Sequence, residues 1–335
     1  VSPKLFGSKQ ARPRVYVTRE LPGDGVERLR AAADVELWRD ELPPPRDELL
    51  RAASDVDGLL CLLTDAIDDE LLAAAPKLRV VSNLAVGYDN IDVPACTRRG
   101  VLVTNTPGVL TETTADFAFA LLLAAARRVV EGERAVREGR WRTWHPSFLL
   151  GHDIHGATLG IVGLGAIGQA VARRARGFDL RVLYYSRTRR PDIEAELDVT
   201  YTDFGELLAA SDFVSVHVAL TPETHEMFND DAFARMKPTA VFVNTARGGV
   251  VDETALQRAL ESRRIAAAAI DVAQVEPLPK HDMLLRLPNL IVTPHIASAS
   301  VATRTRMADL AIENLLAGLE GRRPPHCVNP DVLSG

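Results

Sequence analysis

The stretch "TLGIVGLGAIGQAVARRA", Thr158–Ala175, decides the fold. A short apolar run ends at Gly163, glycines follow at G-x-G-x-x-G spacing (Gly163, Gly165, Gly168), and apolar residues then recur at helical intervals. The order is strand, tight turn, helix. The first glycine permits the turn, the second lets the backbone approach a pyrophosphate, and the third lets helix and strand pack closely. The free N–H groups and dipole of the helix N-terminus attract the anion. Alone, six such residues are a weak signal; between a strand and a helix they predict a dinucleotide site at Gly163, Leu164, Gly165, Ala166, Ile167 and Gly168.

On both sides of this stretch, β-rich runs alternate with helical patterns, the mark of parallel sheets covered by helices. Before it stand "RVYVT", "DVELW", "DGLLCLL", "LRVVSNL" and "VLVTN"; after it stand "LRVLYYS", "DFVSVHV", "AVFVNTA", "IAAAAIDV" and "LIVTPH". The predicted architecture is α/β, two doubly wound parallel-sheet domains, with cofactor and substrate meeting in the cleft between them. Between the two series, "TETTADFAFALLLAAARRVVEGERAVREGRW" predicts one long helix from near Thr111 to Gly139. Its first half is apolar on nearly every face, so burial between domains or against a second subunit is expected.

The chain's 335 residues suit two domains. A net charge of −6 argues against a nucleic-acid or membrane-surface binder. Three widely spaced cysteines without Cys-x-x-Cys suit a reducing cytosol and offer no metal or disulfide framework. The N-terminal stretch is polar, without the apolar core of a leader, so a soluble cytoplasmic protein is expected.

The next strand predicts the cofactor. In "LYYSRTRRP", Leu183–Pro191, the strand tip should carry an acid for the adenine ribose of NAD, yet it carries Ser186, Arg187, Thr188, Arg189 and Arg190. An acid would repel a 2′-phosphate; a hydroxyl and guanidinium groups would bind one. NADP(H) is therefore the expected preference, with NAD(H) possible, and Arg187 the main contact with Arg189 second.

Three strand ends carry candidate chemistry. "NTARGGVVDE" places Arg247 after one strand, "IDVAQVEPLP" places Glu276 beyond another, and "TPHIAS" places His295 after the last. Arg247 offers a planar fork for a carboxylate and carbonyl, and His295 a proton for a forming alkoxide. A carboxylate such as Glu276 would orient the ring and favour its protonated form. Spacing leaves the ordinary alternatives open: surface charges for Arg247 and Glu276, a structural role for any histidine. Of the eight histidines, His145, His152, His155, His225 and His326 are taken as structural or solvated, and His217 as a core or cofactor-side residue.

Taken together, "NLAVGYDNID", "GLGAIG", "MKPTAVFVNTARGGVVDE", "AAAAIDV…EPLP" and "NLIVTPHIAS" resemble the D-isomer-specific 2-hydroxyacid dehydrogenases, closest to their glyoxylate/hydroxypyruvate reductase branch. The resemblance runs from about Leu78 to the C-terminal tail. It implies a discontinuous, flavodoxin-like substrate domain (residues 1–107 and 297–335) and a Rossmann NAD(P)-binding domain (residues 108–296). It also implies Arg247, Glu276 and His295 as the catalytic trio, with the substrate at the N–H groups of Val86 and Gly87 and near Ser298. Ala219, Thr245, Asp271 and Ala297 would line the cofactor site, Asp271 near the nicotinamide. A homodimer through the Thr111 helix is implied, with Trp141 and Trp144 reaching towards the partner's active-site mouth. The chain departs from the family pattern at Leu84, where tyrosine is common, at Ala273, and at "KHDML". These departures bear on the substrate's far end.

The expected activity is reduction of glyoxylate and hydroxypyruvate to glycolate and D-glycerate. The alternatives are a D-lactate-type or phosphoglycerate dehydrogenase and, in another class, a dinucleotide-sensing corepressor-like binding protein.

Overall fold

The computed structural model describes residues 12–334; the polar N-terminal stretch considered above falls almost wholly outside them. The chain divides into two compact units, one built from the residues up to Leu110 with those from Ser300 onward, the other from Thr111–Ala299.

In the first unit, β1 (Arg14–Val17), β2 (Asp34–Leu37), β3 (Gly58–Cys61), β4 (Val80–Asn83) and β5 (Leu102–Thr104) alternate with helices α1 (Gly25–Ala32), α2 (Arg46–Ala53), α3 (Asp69–Ala74) and α4 (Val93–Arg98). The strands form a parallel sheet in the order β2-β1-β3-β4-β5, the flavodoxin-like order. Strands β3, β4 and β5 are buried on both faces, which is why they read as unbroken apolar runs. Edge strand β2 instead alternates exposed and half-buried residues.

The second unit opens with α5 (Thr111–Ala126) and α6 (Val129–Arg137), followed by β6 (Thr158–Val162), α7 (Ala166–Ala175), β7 (Arg181–Tyr185), α8 (Pro191–Leu197), β8 (Val199–Tyr201) and α9 (Phe204–Ala210). Then come β9 (Phe213–Val216), α10 (Asp230–Arg235), β10 (Val241–Asn244), α11 (Glu253–Glu261), β11 (Ala267–Ile270) and β12 (Leu290–Val292). Its parallel sheet runs β12-β11-β10-β9-β6-β7-β8, so strand order reverses between β6 and β9. Such a switch point is where doubly wound sheets bind ligands. Register aligns the strand ends: Val162 pairs with Val216, Val216 with Asn244, Asn244 with Ile270, and Ile270 with Val292. Gly163, His217, Thr245, Asp271 and Thr293 therefore leave the sheet along one edge.

Helix α12 (Val301–Leu319) returns to the first unit and packs on β3, β4, β5 and α1. Ser300 caps it by accepting from Thr303 N–H, and Met307, Ala308, Ala311, Ile312, Leu315 and Leu319 form its buried stripe.

The single long helix expected from Thr111 to Gly139 is two helices. Arg128 adopts a left-handed backbone (φ +53°) between them, its guanidinium held by Glu131. The chain returning at His152 donates its N–H to the Ala126 carbonyl that the break leaves free, at 2.9 Å. Burial of α5 has an internal cause: Ala115, Ala118, Phe119, Leu121, Leu122 and Ala125 pack with β6, β7 and α7 residues in the unit's own core. The exposed apolar residues lie further on, on α6 and the loop after it. Among the described residues, no helix is long and apolar enough to cross a membrane.

Candidate active site

The glycine turn has the form that the spacing predicts. Gly163 sits at φ +99°, and a Cβ there would stand 2.7 Å from the His217 carbonyl. At Gly168 a Cβ would meet the Gly163 oxygen at 2.1 Å, so helix α7 approaches the turn only because no side chain intervenes. At Gly165 nothing lies within 4 Å of where a Cβ would be, which leaves the N-terminus of α7 open to a phosphate. Beyond the next strand, Thr245 is only 9% exposed and its hydroxyl has no hydrogen-bond partner. Open turn, unpaired helix N–H groups and orphaned hydroxyl together fit a dinucleotide. Ala219 is exposed, its carbonyl accepting from the Thr224 hydroxyl at 2.7 Å.

At the tip of β7, Ser186 Oγ accepts from Leu164 N–H at 2.9 Å, which leaves the serine hydroxyl hydrogen free to donate. The arginines after it are not equivalent. Arg189 makes two 2.8 Å bonds to Glu194 and stacks over Tyr201, 5.7 Å from the ring centroid. Glu194 also accepts from the Tyr184 hydroxyl at 2.7 Å, and the two partners, Arg189 first, bring its pKa down to about 2. Arg190 pairs with Asp192 at 3.1 Å. Arg187 and Thr188 are exposed, and Arg187 has no hydrogen bond or ion pair among the described residues. The second rank expected for Arg189 is thus taken up by an internal ion pair.

The carboxylate–histidine pair lies at the ends of β11 and β12. Glu276 Oε2 stands 2.7 Å from His295 Nδ1, and Glu276 Oε1 accepts from Ala273 N–H at 2.9 Å. Burial works to raise the Glu276 pKa, but the His295 bond, the Ala273 N–H and the charge of Arg247 outweigh it and hold the carboxylate ionised below its usual range. Arg247 is therefore within electrostatic reach of the pair. The structure sets its backbone through Asn244, which donates to the Arg247 carbonyl at 2.9 Å and accepts from Ala246 N–H at 2.9 Å. A Cβ at the next residue, Gly248, would fall 1.9 Å from the Ala273 carbonyl carbon, so the Glu276 loop can lie against the Arg247 turn only because residue 248 is glycine. Glu253 adds a bond from Gln274 N–H at 2.6 Å.

His295 occupies the left-handed region (φ +54°), a conformation that costs free energy for a non-glycine residue and needs outside support. Asp271 supplies it. Its carboxylate accepts from the Thr293 hydroxyl (2.6 Å), Ile296 N–H (2.9 Å) and Ala297 N–H (2.7 Å), and its carbonyl accepts from His295 N–H (2.9 Å). Asp271 is 1% exposed, so its visible work is to hold the histidine turn; sequence spacing gave no sign of this. Ala297 is buried by the same contact and Ser298 is half-buried beside it. His217 donates to or accepts from Ser215 Oγ at 2.8 Å, and burial lowers its pKa to about 4, so it stays neutral.

In the first unit, Val86 and Gly87 lie half-buried in the loop after β4, whereas Leu84 is 6% exposed and packed inward. The Leu84 side chain belongs to the unit's interior.

A Rossmann sheet with an open glycine turn at its switch point defines a dinucleotide-binding α/β protein. Residues 119–297 match the family described as D-isomer specific 2-hydroxyacid dehydrogenase, NAD binding domain. The chain belongs to the D-isomer specific 2-hydroxyacid dehydrogenases. It is 55% identical over 323 residues to a glyoxylate reductase of Korarchaeum cryptofilum, covering 96% of this chain and 97% of that one. A glyoxylate reductase of Thermococcus litoralis is 49% identical, with 96% and 98% covered. Among solved structures, a protein of Thermus thermophilus superposes with a TM-score of 0.89 at 49% identity, covering 94% of this chain and 99% of that one. An NADPH-dependent glyoxylate/hydroxypyruvate reductase of Sinorhizobium meliloti, solved with NADP and malonate, gives 0.83 at 36% identity, with 95% and 97% covered.

Proposed function

We propose that this protein is an NADPH-preferring reductase of small 2-oxo acids, chiefly glyoxylate and hydroxypyruvate. The observation that carries the reading is the 2.7 Å pair of Glu276 and His295, set on the strand ends of the sheet that bears the glycine turn. NADPH, when bound, supplies a hydride to the carbonyl carbon of the substrate. His295 supplies the proton. Its Nδ1 faces Glu276, so Nε2 is the nitrogen that gives a proton to the developing alkoxide oxygen. Glu276 fixes the ring's orientation. Arg247 binds carboxylate and carbonyl oxygen through its planar fork, and the N–H groups of Val86 and Gly87 are the first unit's carboxylate donors. Asp271 keeps the His295 turn in its strained conformation.

Residues 163–168 would hold the pyrophosphate, with Ala219, Thr245 and Ala297 along the cofactor. Ser186 and Arg187 would bind the 2′-phosphate. This preference is supported by the missing acid, the free hydroxyl hydrogen of Ser186 and an Arg187 guanidinium not tied up in an ion pair. The named relatives support the substrate class. Turnover of glyoxylate and hydroxypyruvate with each reduced cofactor is the deciding assay. A dinucleotide sensor would bind cofactor with negligible reduction.

The working form is a homodimer. Its contact surface is best sought on α6 and the loop after it, where Val129 and Val136 are each 56% exposed, Trp141 61%, Trp144 80% and Leu150 65%. A run of such residues on a water-exposed face fits a second copy of the chain. Three free thiols suit a cytoplasmic setting.

A further inference from the structure

Three consecutive peptide carbonyls in the first unit are each anchored by a donor from the same unit. Ala85 accepts from Thr106 N–H at 2.8 Å, Val86 from Asn105 Nδ2 at 2.7 Å, and Gly87 from Asn83 Nδ2 at 2.9 Å. The donors come from neighbouring strand ends: Asn83 closes β4, Asn105 and Thr106 follow β5, and Ser82 pairs with Thr104 in register.

These peptides are trans, and in a trans unit the N–H points opposite to its own carbonyl. Anchoring the carbonyls of 85, 86 and 87 therefore turns the N–H groups of Val86, Gly87 and Tyr88 away from the anchors. Among the described residues none of the three donates a hydrogen bond, whereas Leu84 and Ile91 on either side do. Backbone N–H groups in a folded protein are rarely left unpaired. Successive free ones form an anion-binding concavity.

The anchors are themselves fixed. Asn83 is fully buried and Asn105 is 9% exposed. Asn83 Nδ2 also reaches Asn90 Oδ1 at 3.2 Å, and Asn90 Nδ2 donates to the carbonyls of Leu62 (3.1 Å) and Asp65 (2.9 Å). The Asn105 carbonyl accepts from Asn314 Nδ2 on α12 at 2.9 Å, and Asn314 Oδ1 accepts from His326 N–H at 3.0 Å. Rotating the Asn83 amide would break its bonds to Gly87 and Asn90 together, and the Asn105 backbone is held in place through Asn314.

We propose that Asn83 and Asn105 are positioning residues that set the direction of the Val86, Gly87 and Tyr88 N–H donors, and through them the affinity for the substrate carboxylate. Tyr88 N–H is a third donor beside the other two. The inference rests on the 2-oxo acid reading above.

Aspartate has the same size as asparagine but, when ionised, no donor. Asn105→Asp and Asn83→Asp therefore remove one anchor each and set a carboxylate against a peptide carbonyl. The experiment measures KM and kcat for glyoxylate, inhibition by oxalate, NADPH affinity by fluorescence titration, and the melting temperature. Loss of about one net hydrogen bond's effect predicts a rise in KM of roughly tenfold, with the oxalate inhibition constant rising in parallel. NADPH affinity should stay within about twofold and kcat should change by less than about threefold, because the cofactor and proton donor are held elsewhere. An unchanged KM in both variants overturns the proposal. So does a joint fall of NADPH affinity, kcat and melting temperature, which would mark a general loosening. If one variant does not fold, the other decides alone, since it acts on a different carbonyl. A parent without 2-oxo acid turnover would remove the reading and this inference together; an active parent with indifferent variants would remove only the inference.

Discussion

Replacing Ser186 by aspartate and Arg187 by alanine should move cofactor preference from NADPH towards NADH while leaving reduction intact. Ser186 Oγ now accepts Leu164 N–H at 2.9 Å, and an aspartate oxygen can keep that bond, so the glycine turn should survive. The second carboxylate oxygen would then accept from ribose hydroxyls and repel a 2′-phosphate. Arg187 is exposed, so the usual worth of a guanidinium–phosphate bond, about 1.5–3 kcal/mol, must be discounted for solvent screening to roughly 1–1.5 kcal/mol. That is about tenfold for Arg187, with a similar factor for the aspartate, or roughly a hundredfold together if adjacent sites add. Arg189→Ala is the internal control. Its guanidinium is bound to Glu194 by two 2.8 Å bonds, so its loss should leave the preference nearly unchanged and cost some stability instead. The assay is kcat/KM for both cofactors with glyoxylate held constant, in the parent, the double variant and the Arg187→Ala and Arg189→Ala single variants. A parent that favours NADH, or an Arg189 variant that loses as much NADPH preference as Arg187→Ala, would refute the reasoning.

Other perturbations test the remaining roles. His295→Ala should lower kcat by about 10²–10⁴ with little change in KM, because proton donation develops in the transition state; full activity would remove His295 from the mechanism. Arg247→Ala should damage both KM and kcat, since its contact with the substrate begins on binding and strengthens as charge develops. Glu276→Gln should stay active at a lower kcat and abolish the part of the acid-side fall in activity that comes from protonation of Glu276. Glu276 has a depressed pKa, so its stabilising charge is present across neutral pH and is lost only as pH falls through that lowered value. The amide removes that charge at every pH; a profile identical to the parent's would contradict the pairing role. Trp144→Glu with Val136→Glu should convert the proposed dimer to monomer in light scattering at micromolar concentration. A parent already monomeric and active would sink the assembly.

The glycine turn and the three strand ends could be read from residues because each rests on local chemistry: a spacing, a strand terminus, a side-chain type. The helix break could not. "AARRVVEG" has no proline, and its glycine comes after the break; Arg128 turns left-handed because Glu131 holds its side chain and the chain returning at His152 takes the Ala126 carbonyl. Strand β8 is three residues long and shows only as pairing with β7. The internal pairing of Arg189 was hidden for a related reason. Glu194 is five residues from Arg189, and nothing in the spacing says that the turn into α8 folds one onto the other with Tyr184 as a third partner.

Asp271 carries the same lesson into the site. As the residue after a strand, in line with Thr245, it invites a role at the cofactor. Its three carboxylate bonds go to Thr293, Ile296 and Ala297, more than twenty residues away in sequence, around a histidine whose backbone lies in the left-handed region. Each of these bonds offsets part of the strain at residue 295. The histidine's place is therefore fixed by its backbone before Glu276 orients its ring. Asp271→Asn should then disturb His295 through geometry, since one amide group can accept fewer of those donors. It should lower kcat more than NADPH affinity and lower the melting temperature as well. An Asp271→Asn variant with parental kcat and reduced NADPH affinity would return Asp271 to the cofactor.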